Sequence, residues 1–209
     1  MPTQRQGLAF IVCAPSGAGK TTLCKRLLSE FASLAYSVSC TTRPPRAGEV
    51  DGKDYTFISQ EEFARLREEN KFIEWARVHG NYYGTLRSVV QEKLNAGQDL
   101  LFDIDVQGAA QIKLNLRAPA FFTFILPPSM AKLEERLRLR GTEEEAVTLK
   151  RLTNACQEIE NAHWFDFLVV NNAVEQAYLE FKAAYLAAGL APRCQSASLN
   201  ALLQEIKAL

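Results

Sequence analysis

Four continuous apolar runs alternate with segments of helical spacing along the chain. The runs cover residues 8–13, 100–105, 121–126 and 167–171. Short runs of this kind are typical of strands buried on both faces of a sheet, whereas the helices between them need an apolar residue only every third or fourth position. The pattern predicts an α/β fold, a parallel sheet flanked by helices, and residues 36–39 are expected to add a further strand.

An inserted segment interrupts this alternation. Residues 41–88 are rich in turns and polar side chains and contain two short alternating runs, which predicts a small β-rich subdomain. A helix is expected over residues 60–70, between those two runs. Ser59 would be its N-cap, and Glu62 would complete a capping box.

A second interruption covers residues 129–159, where two helical patterns meet at Gly141. A helical hairpin rich in arginine and poor in apolar residues is typical of a mobile lid over phosphates. The alternative role for its arginines is pairing with acidic residues four positions away on an exposed helix face. We assign this role to Arg136 and to Arg138, which follows Glu134 at that spacing.

The chain is predicted as one domain over residues 1–209, whose core is residues 1–40, 89–128 and 160–209.

The last residues, 196–209, predict an amphipathic helix. Its apolar side chains fall on one helical face: Leu199, Leu202, Leu203, Ile206 and Leu209. We expect this face to pack on the core, and binding to a partner is the alternative.

A phosphate-binding sequence lies between the first apolar run and the first helix. It reads Ala14, Pro15, Ser16, Gly17, Ala18, Gly19, Lys20 and Thr21, with Thr22 following. The two glycines let backbone N–H groups turn toward a phosphate, and the helix N-terminus adds partial positive charge. Lys20 is expected to reach the β- and γ-phosphates of a bound nucleotide, and the Thr21 hydroxyl to ligate Mg²⁺ directly. The sheet is therefore expected to be of the P-loop NTPase type.

Ala14 departs from the strict form of this motif, which has a glycine at that position. Alanine is tolerated without strain where φ is negative, so we expect a negative φ at Ala14. The alternative, an incidental glycine-rich turn, is disfavoured by the strand before the loop and the helix after it.

Composition excludes several classes of function. The 24 basic and 24 acidic residues balance, which argues against a broad nucleic-acid surface. No apolar stretch approaches the roughly 18 residues of a membrane-spanning helix, and the N-terminal residues lack the apolar core of an export signal. Five scattered cysteines form neither a disulfide framework nor a zinc site. We expect a cytoplasmic protein that binds neither nucleic acid nor membrane.

A cluster of phosphate-binding side chains follows residue 37. Arg43 and Arg46 offer paired donors to phosphate oxygens, and the hydroxyls of Ser39 and Tyr55 add single donors. This combination favours a phosphate monoester. A surface turn with solvated charges fits the spacing equally well.

Five motifs in this order resemble the guanylate kinase family. They are the phosphate loop and residues 39–57, 72–76, 80–85 and 103–108, and the similarity runs through essentially the whole chain. The resemblance implies that the acceptor phosphate of GMP is held by Ser39, Arg43, Arg46, Tyr55 and Tyr83. It also implies that Glu74 and Thr85 read the guanine ring.

The chemistry of Glu74 fits that role. A carboxylate accepts hydrogen bonds from guanine N1–H and the exocyclic amine, whereas adenine offers an unprotonated N1 there. The hydroxyl of Thr85 can donate to guanine O6. The alternative for Glu74 is an exposed strand residue beside Trp75.

The remaining site residues follow from the same resemblance. Asp103 and Asp105, two apart at a strand end, project on one face and resemble a Walker B site, where they would hold Mg²⁺ through water. Asp105 and Gly108 would lie against GMP. Asn171, or its neighbour Asn172, would contact the adenine of ATP. The expected catalytic cations are Lys20, Arg43, Arg140 and Arg151.

The implied reaction is transfer of the γ-phosphoryl group of ATP to GMP or dGMP with Mg²⁺ as cofactor. Two alternatives stay open at this point. One is a non-catalytic guanylate-kinase-like interaction module, and the other is a related kinase for a different phosphorylated acceptor. The sequence does not fix the oligomeric state.

Overall fold

The computed structural model describes residues 5–78, 80–139 and 145–207. Within them the strands are β1 (Ala9–Cys13), β2 (Leu34–Tyr36), β3 (Cys40–Thr41), β4 (Thr56–Phe57), β5 (Phe72–Val78), β6 (Asn81–Leu86), β7 (Asp99–Asp103), β8 (Ala120–Leu126) and β9 (Phe167–Val170). The helices are α1 (Lys20–Glu30), α2 (Gln60–Glu68), α3 (Arg87–Asn95), α4 (Val106–Asn115), α5 (Met130–Leu139), α6 (Glu145–Glu160), α7 (Val174–Leu190) and α8 (Ser196–Lys207).

The central sheet is parallel and has the strand order β2-β7-β1-β8-β9. Every residue of β1 is fully buried because the strand lies in the middle of the sheet. Phe10 and Val12 face one apolar cluster with α1 and α7, while Ile11 and Cys13 face a second cluster with α3 and α4. This alternation across two covered faces confirms the predicted α/β fold.

A second sheet is inserted between β2 and α3. Its order is β4-β3-β6-β5, with β5 and β6 forming an antiparallel hairpin. Phe63 of α2 stacks on Phe72 and Tyr82, with ring centroids 4.4 and 5.3 Å apart, so the subdomain has a small core of its own. Ser59 accepts a hydrogen bond from the Glu62 N–H at 3.1 Å, as predicted for an N-cap. The Glu62 carboxylate bonds Arg65 instead, so the second half of the capping box is not formed.

Strand β7 ends earlier than the sequence predicts. It stops at Asp103, and Asp105 lies beyond it as the N-cap of α4, where its carboxylate accepts from the Gly108 N–H at 2.8 Å. The predicted strand geometry therefore does not place the two aspartates on one face. Capping an exposed helix N-terminus is the stronger local preference of an aspartate.

The prediction that the C-terminal helix packs on the core is wrong. Helix α8 has no buried residue, and its apolar side chains are 43% to 63% exposed. The set is Leu199, Leu202, Leu203 and Ile206, while Leu209 lies outside the described residues. None of the helices in the described ranges has the length and apolar character needed to cross a membrane.

Candidate active site

The phosphate loop joins β1 to α1 and is shaped by two glycines. Gly17 has φ 89° and Gly19 has φ 94°, a backbone conformation that only glycine adopts without strain. Ala14 is not among the residues with positive φ, which confirms the expectation for that position. A cavity of about 280 Å³ opens above the loop. Its lining comprises Ala14, Pro15, Ser16, Gly17, Gly19, Lys20 and Thr21.

Lys20 is fixed by the end of the neighbouring strand. Its Nζ lies 2.5 Å from Oδ1 of Asp103 and donates to the Ile104 carbonyl at 3.1 Å. Burial is the largest single influence on the pKa of Lys20 and lowers it, but the charge and hydrogen bond of Asp103, together with Cys13 and Cys24, outweigh burial and raise the net pKa. An ammonium group has three donors, so one remains for a phosphate oxygen. Asp103 therefore orients the loop lysine, while Asp105 caps α4.

Asn171 lies behind the phosphate loop. Its side chain is 3% exposed, and Nδ2 donates to the Ala18 carbonyl at 2.7 Å. A Cβ on Gly19 would lie 2.2 Å from that Nδ2, which is a second reason why this position is glycine. Oδ1 of Asn171 is buried with no hydrogen-bond partner among the described residues. In this conformation Asn171 supports the loop, and the exposed neighbour is Asn172.

The contacts of the lid arginines agree only in part with the sequence prediction. Arg138 pairs with Glu134 at 2.8 Å, as predicted. The sequence predicts the same pairing for Arg136, but its Nη2 donates to the Asn171 carbonyl at 3.1 Å and ties α5 to the end of β9. Arg140 lies outside the described residues, and Arg151 is half-buried on α6.

A second cavity of about 350 Å³ lies between the two sheets. It brings together most of the residues assigned to GMP: Ser39, Arg43, Arg46, Tyr55, Glu74, Tyr83 and Asp105 line it, with Lys20, Asp103 and Glu49. The rings of Tyr55 and Tyr83 meet edge to face with centroids 5.9 Å apart, and the Arg43 guanidinium lies 5.4 Å from the Tyr55 centroid. Lys20 lines both cavities, so the two sites adjoin at this residue.

Glu74 is at the closed end of this cavity. It is 4% exposed and accepts a hydrogen bond from Thr85 Oγ1 at 2.6 Å, while Ser39 Oγ lies 3.0 Å from that same hydroxyl. Burial raises the pKa of Glu74 to about 7, against the Thr85 hydrogen bond, which lowers it. The position is not the exposed strand residue of the alternative interpretation. A buried carboxylate with spare acceptor capacity suits a ligand that brings its own donors.

Gly108 approaches Glu74 closely. A Cβ on Gly108 would lie 2.9 Å from Glu74 Oε2 and 3.4 Å from Asp105 Oδ1. The sequence suggested that a nucleotide approaches this backbone, but in the structure it is the Glu74 carboxylate that occupies the space. Glycine is needed there because α4 and β5 meet at that point.

Sequence reasoning missed three residues near the cavity. Glu49 pairs with Arg43. Its position three residues after Arg46 is a sequence signal that could have predicted a carboxylate paired with this arginine cluster. Gln111 of α4 bonds both backbone groups of Trp75, at 3.0 and 2.8 Å, and no local pattern marks it. Glu158 of α6 has a pKa raised to about 7 by burial, which Lys20 opposes and Asp105 reinforces.

The fold and the two adjoining cavities define a phosphate-loop α/β protein with one site for a polyphosphate and one for a phosphate monoester. The family model described as guanylate kinase matches residues 6–188. The chain belongs to the guanylate kinase family.

Curated relatives and solved structures agree with this assignment. A guanylate kinase from Oleidesulfovibrio alaskensis is 53% identical over 205 residues, which covers 98% of this chain and 99% of the relative. One from Thermotoga maritima is 50% identical over 172 residues, covering 82% and 83%. The crystal structure of guanylate kinase from Anaplasma phagocytophilum superposes with a TM-score of 0.73 at 32% identity, covering 92% of this chain and 91% of that one.

Proposed function

We propose that the protein transfers the γ-phosphoryl group of ATP to GMP, giving ADP and GDP, and that it accepts dGMP as well. The observation that carries the proposal is that Lys20 lines both the phosphate-loop cavity and the cavity containing Glu74. A donor triphosphate on the loop and an acceptor phosphate beside Arg43 would meet at this ammonium group. In-line transfer between two bound nucleotides needs that adjacency.

The acceptor cavity is assigned to GMP by the chemistry at its two ends. Arg43, Arg46 and the hydroxyls of Tyr55 and Tyr83 would hold the phosphate, because they supply charged and neutral donors within one wall. Glu74 would accept hydrogen bonds from the guanine ring. Thr85 would act with Glu74 at that end. Ser39, which the resemblance assigns to the phosphate, lies 3.0 Å from the Thr85 hydroxyl, so we propose that it supports the guanine end as well.

The transfer step requires no general base from the protein. The attacking oxygen of GMP is already ionised, so the residues contribute positioning and charge neutralisation. The described lining of the acceptor cavity has three cations (Lys20, Arg43, Arg46) against four carboxylates (Glu49, Glu74, Asp103, Asp105). Further positive charge is needed for two phosphorylated ligands. Arg140 and Arg151 of the lid are proposed to supply it on closure, which would also exclude water.

The donor set fits Mg²⁺ carried by the nucleotide. No group of three or more His, Cys, Asp or Glu side chains in the described ranges could hold a metal by itself. Mg²⁺ in such enzymes is held by one or two protein oxygens and the substrate phosphates. The exposed Thr21 hydroxyl would be a direct ligand, and Asp105 and Asp103 would act through water. Bound there, the ion would neutralise charge on the β- and γ-phosphates.

We also propose that the protein is cytoplasmic. All five cysteines, Cys13, Cys24, Cys40, Cys156 and Cys194, are free thiols, as is usual for a reducing compartment. Burial raises the pKa of Cys13 and of Cys24, so both behave as small buried apolar residues beside the loop.

A coupled assay of ADP formation with GMP, dGMP, AMP, UMP and dTMP tests the proposal. We expect GMP and dGMP to be strongly preferred, and Lys20→Met to lower kcat by about 10²–10³-fold. A non-catalytic interaction module would form no ADP with any of these acceptors. A kinase for another acceptor would show no preference for GMP, and either result would refute the assignment.

A further inference from the structure

Arg43 is held by a carboxylate from the same turn. Its Nη1 and Nη2 donate to Oε2 and Oε1 of Glu49 at 2.9 and 2.8 Å. Nη1 also donates to the Pro44 carbonyl at 2.7 Å. Both side chains are largely buried, with 11% of Arg43 and 19% of Glu49 exposed. This is a paired, charge-assisted contact of the kind that fixes the plane of a guanidinium.

The pair uses only part of the donor set of Arg43. A guanidinium has five N–H groups. Three of them, both on Nη1 and one on Nη2, are accounted for by Glu49 and Pro44. The Nε–H and the second Nη2–H lie side by side on another edge, which can grip a phosphate through two parallel bonds. The Tyr83 hydroxyl, assigned to the same phosphate, also interacts with this guanidinium.

Glu49 is itself anchored to the backbone. Its Oε2 accepts from the Arg46 N–H at 2.7 Å, and its own N–H donates to the Arg46 carbonyl at 3.1 Å. The carboxylate thus closes the turn that carries the second assigned arginine. The Arg43 guanidinium also lies 5.4 and 5.8 Å from the ring centroids of Tyr55 and Phe57. Glu49 does not need to move for the phosphate edge of Arg43 to be used.

We propose that Glu49 is a positioning residue for the acceptor phosphate: it keeps its paired contact with Arg43 when GMP binds and presents the Nε edge of that arginine to the phosphate. The inference rests on the proposed function of this cavity. The competing explanation is that Glu49 stands in for the phosphate and is displaced by it.

The two explanations predict opposite signs for removing the charge of Glu49. Loss of a displaced competitor would tighten GMP binding. Loss of a support would weaken it, because a long cationic side chain would have to be ordered at the moment of binding. A carboxylate near a phosphate also repels it, but the guanidinium between them screens that repulsion, so we expect the orienting effect to be larger.

The variant Glu49→Gln separates these explanations. Glutamine can still accept from the Arg46 N–H, but its amide would direct a donor at one Nη of Arg43 and break the paired contact. We expect the KM for GMP to rise about tenfold to a hundredfold, the range known for losing a residue that orients a metal ligand, with the KM for ATP unchanged. Glu62→Gln is the matched control, since Glu62 pairs with Arg65 in the same subdomain, on its exposed surface.

An unchanged or lower KM for GMP in Glu49→Gln would overturn the proposal. So would a parallel rise of both KM values with a melting temperature below that of Glu62→Gln, which would indicate a merely structural role. A crystal structure with GMP gives a second readout, in which the Glu49 to Arg43 contact is expected to persist. Failure of the proposed function is distinguishable, because the wild-type protein would then neither bind nor phosphorylate GMP.

Discussion

Thr85 and Glu74 face each other across β6 and β5, and Thr85 Oγ1 donates to Glu74 Oε1 at 2.6 Å. A hydroxyl has one proton, so with Glu74 ionised it is Ser39 that donates to Thr85 across 3.0 Å. Guanine N–H groups would take over as donors to Glu74. The Thr85 proton could then turn to guanine O6, so binding exchanges one set of hydrogen bonds for another.

The affinity for GMP should depend on pH through Glu74. Its pKa of about 7 means that the carboxyl gains a proton as the pH falls through neutrality, and a neutral carboxyl loses acceptor capacity for guanine. We expect the KM for GMP to rise below pH 7, by up to about tenfold per unit. The phosphate of GMP titrates in the same range, so Glu74→Gln is measured in parallel. A wild-type profile that parallels the variant's would refute this role for Glu74.

The same burial should cost stability at high pH. The pKa of Glu74 is raised from 4.5 to about 7 in the folded state, so the ionised group destabilises the fold progressively between those values and fully above them. Replacing Glu74 by glutamine removes this penalty. The change in the free energy of unfolding from wild type to Glu74→Gln should therefore be about 1–3 kcal/mol more stabilising at pH 8 than at pH 4. Urea denaturation at both pH values measures this.

A control for that experiment comes from an exposed carboxylate in the same subdomain. The Arg65 hydrogen bond lowers the pKa of Glu62, which makes its contribution opposite in sign. Glu62→Gln should lose a little stability at pH 8 and none at pH 2. Equal pH dependence of the two variants would contradict the assignment for Glu74.

Gly108→Ala should impair GMP use alone. A methyl group there would lie 2.9 Å from Glu74 Oε2 and would push the carboxylate from its position. We expect the KM for GMP to rise about tenfold, since one displaced charged acceptor costs roughly 1.5–3 kcal/mol, with the KM for ATP unchanged. Gly189→Ala is the control, because its Cβ would meet nothing closer than 3.6 Å. It should leave both KM values unchanged.

Gln111→Leu should loosen the strand that carries Glu74. The Gln111 amide pairs with the N–H and carbonyl of Trp75 at the open edge of β5, so leucine would leave two backbone groups without their partner. We expect a loss of about 1–3 kcal/mol in the free energy of unfolding and a several-fold higher KM for GMP. Gln91→Leu, on the exposed face of α3, is the matched control. Identical effects of both substitutions would show that the link between α4 and β5 is unimportant.

Local patterns predicted the elements but not their exact ends. The apolar runs located four strands of the central sheet because full burial requires continuous apolar sequence. The strand before the inserted subdomain lies at Leu34–Tyr36 rather than at residues 36–39. Strand β7 gives way to the cap at Asp105 because hydrogen bonding at a helix N-terminus competes with strand extension.

The candidate site was predictable where the chemistry is carried by contiguous residues. The phosphate loop and the Arg43 to Tyr55 segment each contain several ligand groups within a short stretch. The contacts of Gln111 and Arg136 were not predictable, because each joins its helix to a strand 35 or 36 residues away in the chain. Such pairs depend on how the elements pack and leave no periodic signal.

The sequence by itself determined the α/β class, the phosphate loop, the separate acceptor segment and the family, because these depend on local propensity and on the order of motifs. The tertiary structure alone decided that Asp103 holds Lys20, that Gly108 makes room for Glu74, that Glu49 fixes Arg43, and that the last helix is exposed. Burial and hydrogen-bond partners are properties of the packed chain. A pKa near 7 at Glu74 therefore exists only once β6 and the start of α4 pack against it.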